Sequence, residues 1–290
     1  MDVTRHATAV DLLQASGDFL AGREAEHNLP LGIIGTLRDH PDTYPEPAYL
    51  ATVRDDGRIA LVAIRTPPFG IVLSEPGVPA DRIPPAVATL VADLHAGTPA
   101  LPTAAGPKST VMPFAQRWSH QTGHAARVQM EERIYRLATV ITPRATPGSW
   151  RLAGEGDRPL LRQWLEAFDD EALPPDAPRY ENEPMVERWI RRDDRFAYLW
   201  EVDGRVVSLV AAGARTPSGR RIGPVYTPPD ERGRGFASAL TAAASQDQLD
   251  RGARFCFLFT DLANPISNSI YQRIGYDPVT DIDQYRFDAT

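Results

Sequence analysis

The chain has a single cysteine, Cys256, among 290 residues, which excludes an internal disulfide and any cysteine-built metal site. Its neighbours Phe255, Phe257 and Phe259 mark it as a buried, inert thiol rather than a nucleophile. Long apolar runs are missing too. No segment approaches the ~18 to 20 residues that a membrane helix needs, and Met1 to Val10 carries Asp2, Arg5 and His6 instead of a signal peptide's apolar stretch. The expected location is cytoplasmic, with no membrane partner. Positive charge is scarce: 31 Lys and Arg stand against 38 Asp and Glu, and the net charge is -7. That balance gives no global attraction to phosphate backbones, so a nucleic-acid partner is not expected. The local cluster Arg188, Arg191, Arg192 and Arg195 reads as a solvated helix face. No G-K-[ST] triplet occurs, which excludes a P-loop nucleotidase.

What is present is ordinary for a folded protein, with 42% hydrophobic and 24% charged residues, and the length fits two domains. A repeat supports that division. The stretch from Tyr49 through Asp56-Gly57 to Arg65-Thr66-Pro67 resembles the stretch from Tyr198 through Asp203-Gly204 to Arg215-Thr216-Pro217. Each reads as two strands joined by an Asp-Gly hairpin turn. A further apolar strand comes next in each copy (Phe69 to Leu73; Arg221 to Tyr226), then an alanine-rich helix (Pro84 to Leu94; Gly233 to Arg251). The copies end on Tyr135-Arg136-Leu137 and Tyr285-Arg286-Phe287. Between them, Ile141 to Ser149, with its prolines and glycine, is the natural linker.

In the second copy, Pro159 to Phe168 and Pro184 to Arg192 read as helices with Trp164 and Trp189 on their apolar sides. Strands are expected near Phe196 to Val202, Val206 to Ala214, Arg221 to Thr227, Phe255 to Thr260 and Asp283 to Phe287, with a short helix from Asn264. This is a mixed sheet with helices on its faces.

The segment Val225-Tyr226-Thr227-Pro228-Pro229-Asp230-Glu231-Arg232-Gly233-Arg234-Gly235-Phe236-Ala237 is a strand, a Pro-rich turn and a glycine-arginine stretch opening a helix. Small residues let a phosphate approach the backbone, the first-turn N–H groups point at it, and Arg232 and Arg234 add positive charge. A dinucleotide fingerprint fits less well, because Ser238 stands where its third glycine belongs. Downstream, Asn264 suits an N-cap, Pro265 a first helical position and Gly275 a helix end. Tyr271 shares a face with Asn264 and Ser267.

These two segments resemble the motifs of GNAT-type N-acetyltransferases. Arg232, Gly235 and Ala237 satisfy [R/Q]-x-x-G-x-[G/A]; Asn264, Ser267, Tyr271, Gly275 and Tyr276 satisfy N-x-x-[A/S]-x-x-x-Y-x-x-x-G-[F/Y]. The resemblance implies an α/β (α+β) fold of two tandem units, each a mixed, largely antiparallel twisted sheet flanked by helices. Residues 1–143 would be a degenerate, non-catalytic copy and residues 148–290 the catalytic one. It implies acetyl-CoA as acyl donor, no metal, and a small-molecule primary amine as acceptor, such as an amino sugar, an amino acid derivative or an antibiotic-like metabolite. Val225, Tyr226, Thr227, Arg232, Gly233, Arg234, Gly235, Phe236, Ala237 and Asn264 would contact the coenzyme, the strand supplying an oxyanion donor, and Tyr271 would be the general acid.

The base that deprotonates the amine is left open among Glu171, Glu183, Glu201 and Asp261, because all six histidines (His6, His27, His40, His95, His120, His124) precede residue 135. In the first copy the cradle is replaced by Val78-Pro79-Ala80-Asp81-Arg82-Ile83-Pro84-Pro85, and Ser119 stands where the second has Tyr271, four residues before the matching glycine, Gly123. Prolines donate no N–H, so this copy is expected to lack the chemistry. Two other functions stay open: acylation of a peptide amine, or from a donor such as charged tRNA, and a non-catalytic acyl-CoA-binding module. Monomer and homodimer both remain open.

Overall fold

A computed structural model describes residues 1–98, 100–172 and 182–288. In chain order the elements are β1 (Asp2–Arg5), α1 (Ala9–Ala21), α2 (Asn28–Asp39), β2 (Tyr49–Asp55), β3 (Arg58–Arg65), β4 (Ile71–Leu73), α3 (Ile83–Gly97), β5 (Thr103–Pro107), α4 (Lys108–Thr122) and β6 (Ala125–Leu137). They continue as β7 (Ser149–Leu152), α5 (Arg158–Ala172), α6 (Glu183–Arg191), β8 (Phe196–Val202), β9 (Arg205–Arg215), β10 (Gly219–Tyr226), α7 (Phe236–Asp250), β11 (Phe255–Asp261), α8 (Pro265–Arg273) and β12 (Asp277–Asp288).

Two compact units form. Unit 1 comprises residues 1–134, 260–263 and 279 onward; unit 2 comprises Tyr135–Phe259 and Asn264–Pro278. The contiguous cut expected from the repeat therefore misplaces the C-terminal strand. In unit 1, β12 runs antiparallel to β5, with Ile282 to Arg286 opposite Pro107 to Thr103, and Phe287 is buried in one cluster with Trp118 and Phe114. Backbone pairing and that aromatic contact hold the strand there. Neither is visible in a strand's own alternation, which is the same whichever sheet it joins.

In unit 1 the sheet order is β1-β2-β3-β4-β5-β12-β6, mostly antiparallel with a parallel β4/β5 pair. The α3 and α4 side of the core contains Leu90, Val91, Val111 and Trp118, all essentially inaccessible. A second cluster buries Leu12, Leu20 and Ile34 of α1 and α2 against Leu50, Val62 and Ile64.

Unit 2 has the order β11-β10-β9-β8-β7. One face carries α5 and α6, where Leu161, Trp164, Val186 and Trp189 pack on Leu199, Leu209 and Ala211. A different cluster joins α7 and α8 to the sheet through Phe236, Leu240, Ala244, Cys256, Leu258, Tyr271 and Tyr276. Trp189 shows how sequence sets this packing. It lies three residues after Val186, one turn on, so both meet the core at once, and both are almost fully buried.

Both hairpins form as expected. The loops are Asp56-Gly57 and Asp203-Gly204, with φ of 49° and 79°, and of 50° and 77°. Positive φ at both central residues is the type I′ turn that matches strand twist and favours Asp-Gly. Of the basic cluster, Arg188 pairs with Asp194, Arg191 with Asp193, and Arg192 donates to the Ala153 carbonyl at 2.6 Å. Arg195 is largely buried against Gly213. Arg191 and Arg192 are exposed, as expected of a solvated face, whereas Arg188 and Arg195 are turned into intramolecular contacts. Among the described residues no helix is long and apolar enough to cross a membrane.

Candidate active site

The site is built where β10 and β11 part. The two strands are parallel and paired from Gly219–Arg221 to Phe255–Phe257, and the pairing does not continue along Ile222 to Tyr226. On its other side β10 slips by one residue against β9, so that Ile222 meets Ala212 and Val225 meets Val210. Such a bulge bends a strand and re-aims the residues beyond it. At the end of β10, Ser208 Oγ meets Thr227 Oγ1 at 2.8 Å and fixes the strand's exit.

A single 3-10 turn, Pro229–Glu231, then leads into Arg232 to Gly235 and α7. Gly233 and Gly235 have φ of 76° and 88°, a left-handed conformation that L side chains rarely adopt. A Cβ on Gly235 would also stand 3.1 Å from Thr146 Oγ1. No side chain caps α7, so its first-turn N–H groups are left for another partner, and the turn before it is exposed.

The arginines of this turn are already engaged. Arg232 Nε donates to the Thr227 carbonyl at 2.8 Å, and Nη2 donates to both carboxylate oxygens of Glu171 at 2.9 and 2.6 Å. Arg234 pairs with Glu231 and lies 4.8 Å over the Phe236 ring. Glu231, almost buried, also accepts from Arg205 Nη2 at 2.6 Å. The expected free positive charge is thus balanced by carboxylates, and the anion-attracting feature that remains is the open helix end. Glu231 was not among the residues picked from sequence, although its i,i+3 spacing to Arg234 is a readable signal.

Two of the expected coenzyme-contacting residues turn their side chains inward. The Phe236 ring points into the core with Leu240 and Tyr271, and the Tyr226 ring packs on Trp164 at 5.7 Å. Burial raises the Tyr226 phenol, and the charges of Glu171 and Arg232 act on it in opposite directions. Asn264 caps α8, its Oδ1 accepting from Ser267 N at 3.1 Å. Ala237 is half-buried in the first turn of α7.

Tyr271 is 8% exposed, with its ring 6.1 Å from that of Tyr276. Its hydroxyl makes no hydrogen bond to a described residue, and burial pushes the phenol up to about 12. Cys256 lies in the same cluster, and burial raises its thiol to about 12 as well. Of the four carboxylates considered as bases, Glu183 is held by Arg158 and Arg162, and Glu201 by Arg151. Asp261 accepts from Ala263 N at 2.7 Å. Glu171, through Arg232, is the one tied to the end of β10. All six histidines fall in unit 1.

In unit 1 the corresponding helix start has fewer donors to offer an anion. Pro84 and Pro85 occupy the first turn of α3 and remove two N–H donors. Ser119 Oγ donates to the His124 carbonyl at 2.6 Å, a purely local contact.

Comparison with known proteins agrees with this geometry. Residues 159–276 match the Acetyltransferase (GNAT) family. An uncharacterized N-acetyltransferase of Methanocaldococcus jannaschii is 29% identical over 97 residues, which is 31% of this chain and 43% of that protein. The chain therefore matches less than half of that relative's length. In fold, a GCN5-related N-acetyltransferase from Kribbella flavida superposes with a TM-score of 0.59 at 19% identity, covering 93% of this chain and 96% of the other. A tandem GNAT protein from the clavulanic acid biosynthesis pathway gives 0.59 at 13% identity, covering 100% and 99%. The parted strands, the glycine turn and the uncapped helix all lie inside the segment, residues 159–276, that matches the Acetyltransferase (GNAT) family.

Proposed function

We propose that this protein is an N-acyltransferase that moves an acetyl group from acetyl-CoA to a primary amine of a small molecule, with unit 2 as the catalytic unit. The observation that carries this reading is the uncapped start of α7, reached through two left-handed glycines at the end of β10 where its pairing with β11 has stopped. Free N–H groups at a helix N-terminus suit a pyrophosphate, and the turn before them bears no bulky side chain on its glycines.

Bound acetyl-CoA would supply a thioester carbonyl for a neutral amine to attack. The residues of this chain would do the rest. Main-chain donors of Val225 to Thr227 would hold the developing oxyanion. Tyr271 would hold a proton for the departing thiolate. In water a thiol of pKa ~8.5 is a poor acceptor for a phenol near 12. Desolvation of the coenzyme's sulfur on binding would raise its basicity and narrow that gap, which favours the transfer. Glu171, tied to the end of β10 through Arg232, would receive the amine's proton, directly or through water, once the coenzyme's pyrophosphate has taken its place on that arginine. Unit 1, with prolines at the start of α3 and Ser119 in place of a tyrosine, would be non-catalytic.

The test is to incubate the full chain with acetyl-CoA and a panel of amino sugars, amino acid derivatives and aminoglycoside-like amines, following thiol release and acylated product by mass spectrometry. At least one acylated small amine is expected. Acetyl-CoA binding without thiol release on any amine would instead favour an acyl-CoA-binding module, and turnover on peptide amines alone would move the substrate class.

A further inference from the structure

Unit 1 contains a concave site that the acyl-transfer reading does not use. It lies where β1 and β3 end, β2 begins and α3 terminates, at the other end of α3 from Pro84 and Pro85. Its volume is about 310 Å³, at the lower end of the ~300 to 1,000 Å³ typical of small-molecule pockets. The polar groups facing it include Arg5, His6, Glu46, Tyr49, Arg65 and Thr98.

Their charges are unevenly matched. Asp93 accepts from Arg5 Nε at 2.8 Å and from the Tyr49 hydroxyl at 2.7 Å, so that carboxylate is already used. His6 Nε2 meets Thr52 Oγ1 at 3.1 Å, and burial lowers its pKa, so the ring brings no charge at neutral pH. Arg65 differs. It is half-buried, with only long contacts, Nε to the Phe69 carbonyl at 3.3 Å and Nη1 to Thr98 Oγ1 at 3.5 Å. Among the described residues no carboxylate forms an ion pair with it, and desolvation lowers its pKa. The acid whose field acts on it is Glu46, which lines the same pocket and also has no ion pair among the described residues.

The half-buried Arg65 guanidinium has a desolvation cost that its long contacts offset only in part, and the exposed Glu46 puts the opposite charge on the lining of the same cavity. An anion alone would satisfy Arg65 and be repelled by Glu46; a cation alone would do the reverse. We propose that this pocket binds a small zwitterion of the α-amino acid type, its carboxylate on the planar fork of Arg65 and its ammonium on Glu46. The fork geometry favours a carboxylate held by two parallel N–H donors.

The experiment is thermal melting and calorimetry on the full chain with each standard amino acid in turn. Acetate and methylammonium serve as the two half-ligands. At least one amino acid raises the melting midpoint and neither half does. Arg65→Gln and Glu46→Gln each weaken that binding by about ten-fold or more, while the unliganded midpoint and acetyl-CoA affinity stay at wild-type values. Glu46 is exposed, so its replacement keeps the test valid if Arg65→Gln alters folding. The proposal is overturned if no amino acid shifts the wild type, if acetate alone reproduces the shift, or if binding survives in Glu46→Gln.

Discussion

One nitrogen of Arg232, Nη2, donates to both carboxylate oxygens of Glu171, at 2.9 and 2.6 Å, while Nε of the same residue holds the Thr227 carbonyl. The motif arginine of the cradle thus already holds an anion. On the proposed function, an entering pyrophosphate would have to share or displace Glu171. Both partners of the pair are about half exposed, so the contact is worth no more than about 1 kcal/mol. Glu171→Gln should therefore tighten acetyl-CoA binding by up to about five-fold, while lowering turnover if Glu171 receives the amine's proton. Arg232→Ala should weaken coenzyme binding. Calorimetric titration of both variants, paired with initial rates, separates the two roles of the carboxylate.

Tyr271→Phe removes a buried hydroxyl that has no partner among the described residues, so folding stability should be almost unchanged. Turnover should fall by about 10² to 10⁴ if the phenol is the acid, with acetyl-CoA affinity within about two-fold of wild type. Because burial lifts the phenol to about 12, the wild-type rate should not be lost as pH rises through 10, the group's ordinary value. Equal turnover in both proteins would remove Tyr271 from the mechanism.

His27, in unit 1, sets a pH dependence of stability. Its Nδ1 meets the Leu20 carbonyl at 3.0 Å and its Nε2 accepts from Glu75 N at 3.1 Å, an arrangement open only to the neutral ring. Burial is the main cause that lowers its pKa from 6.5; Arg23 lowers it further, and Glu26 and the Leu20 hydrogen bond oppose this. The folded pKa lies below the unfolded one. The stabilisation is therefore complete above about 6.5 and is lost as pH falls through the folded value. Glu75, whose carboxyl burial raises, works in the opposite sense at lower pH. Urea denaturation of wild type and His27→Gln across this range isolates the histidine, and the variant should show the shallower decline on the acid side of 6.5.

Much of the fold was readable because the relevant signals are local. Asp203-Gly204 specifies a type I′ turn by backbone preference alone, and Trp164 and Trp189 mark the buried sides of α5 and α6. The glycine turn at Gly233 and Gly235 was legible for the same reason. The features that escaped depend on partners distant in sequence. Glu171 meets Arg232 across 61 residues, so the neutralised charge of the cradle could not be seen in a hexapeptide. The destination of β12 is set by pairing with β5, and the inward turn of the Tyr226 and Phe236 rings is set by Trp164 and the α7 core. Periodicity identifies a strand or a helix face without naming the surface it meets.

The central claim, that unit 2 alone holds acetyl-CoA, is tested most directly by the stoichiometry of acetyl-CoA binding to the full chain, measured calorimetrically for wild type and Gly235→Ala. A side chain at Gly235 meets both a left-handed φ of 88° and Thr146 Oγ1 at 3.1 Å, a strain on the order of 1 to 2 kcal/mol located in the cradle itself. The account predicts one molecule bound per wild-type chain and binding weakened by about ten-fold or more in the variant. Two molecules per chain, or unchanged affinity in Gly235→Ala, would contradict it.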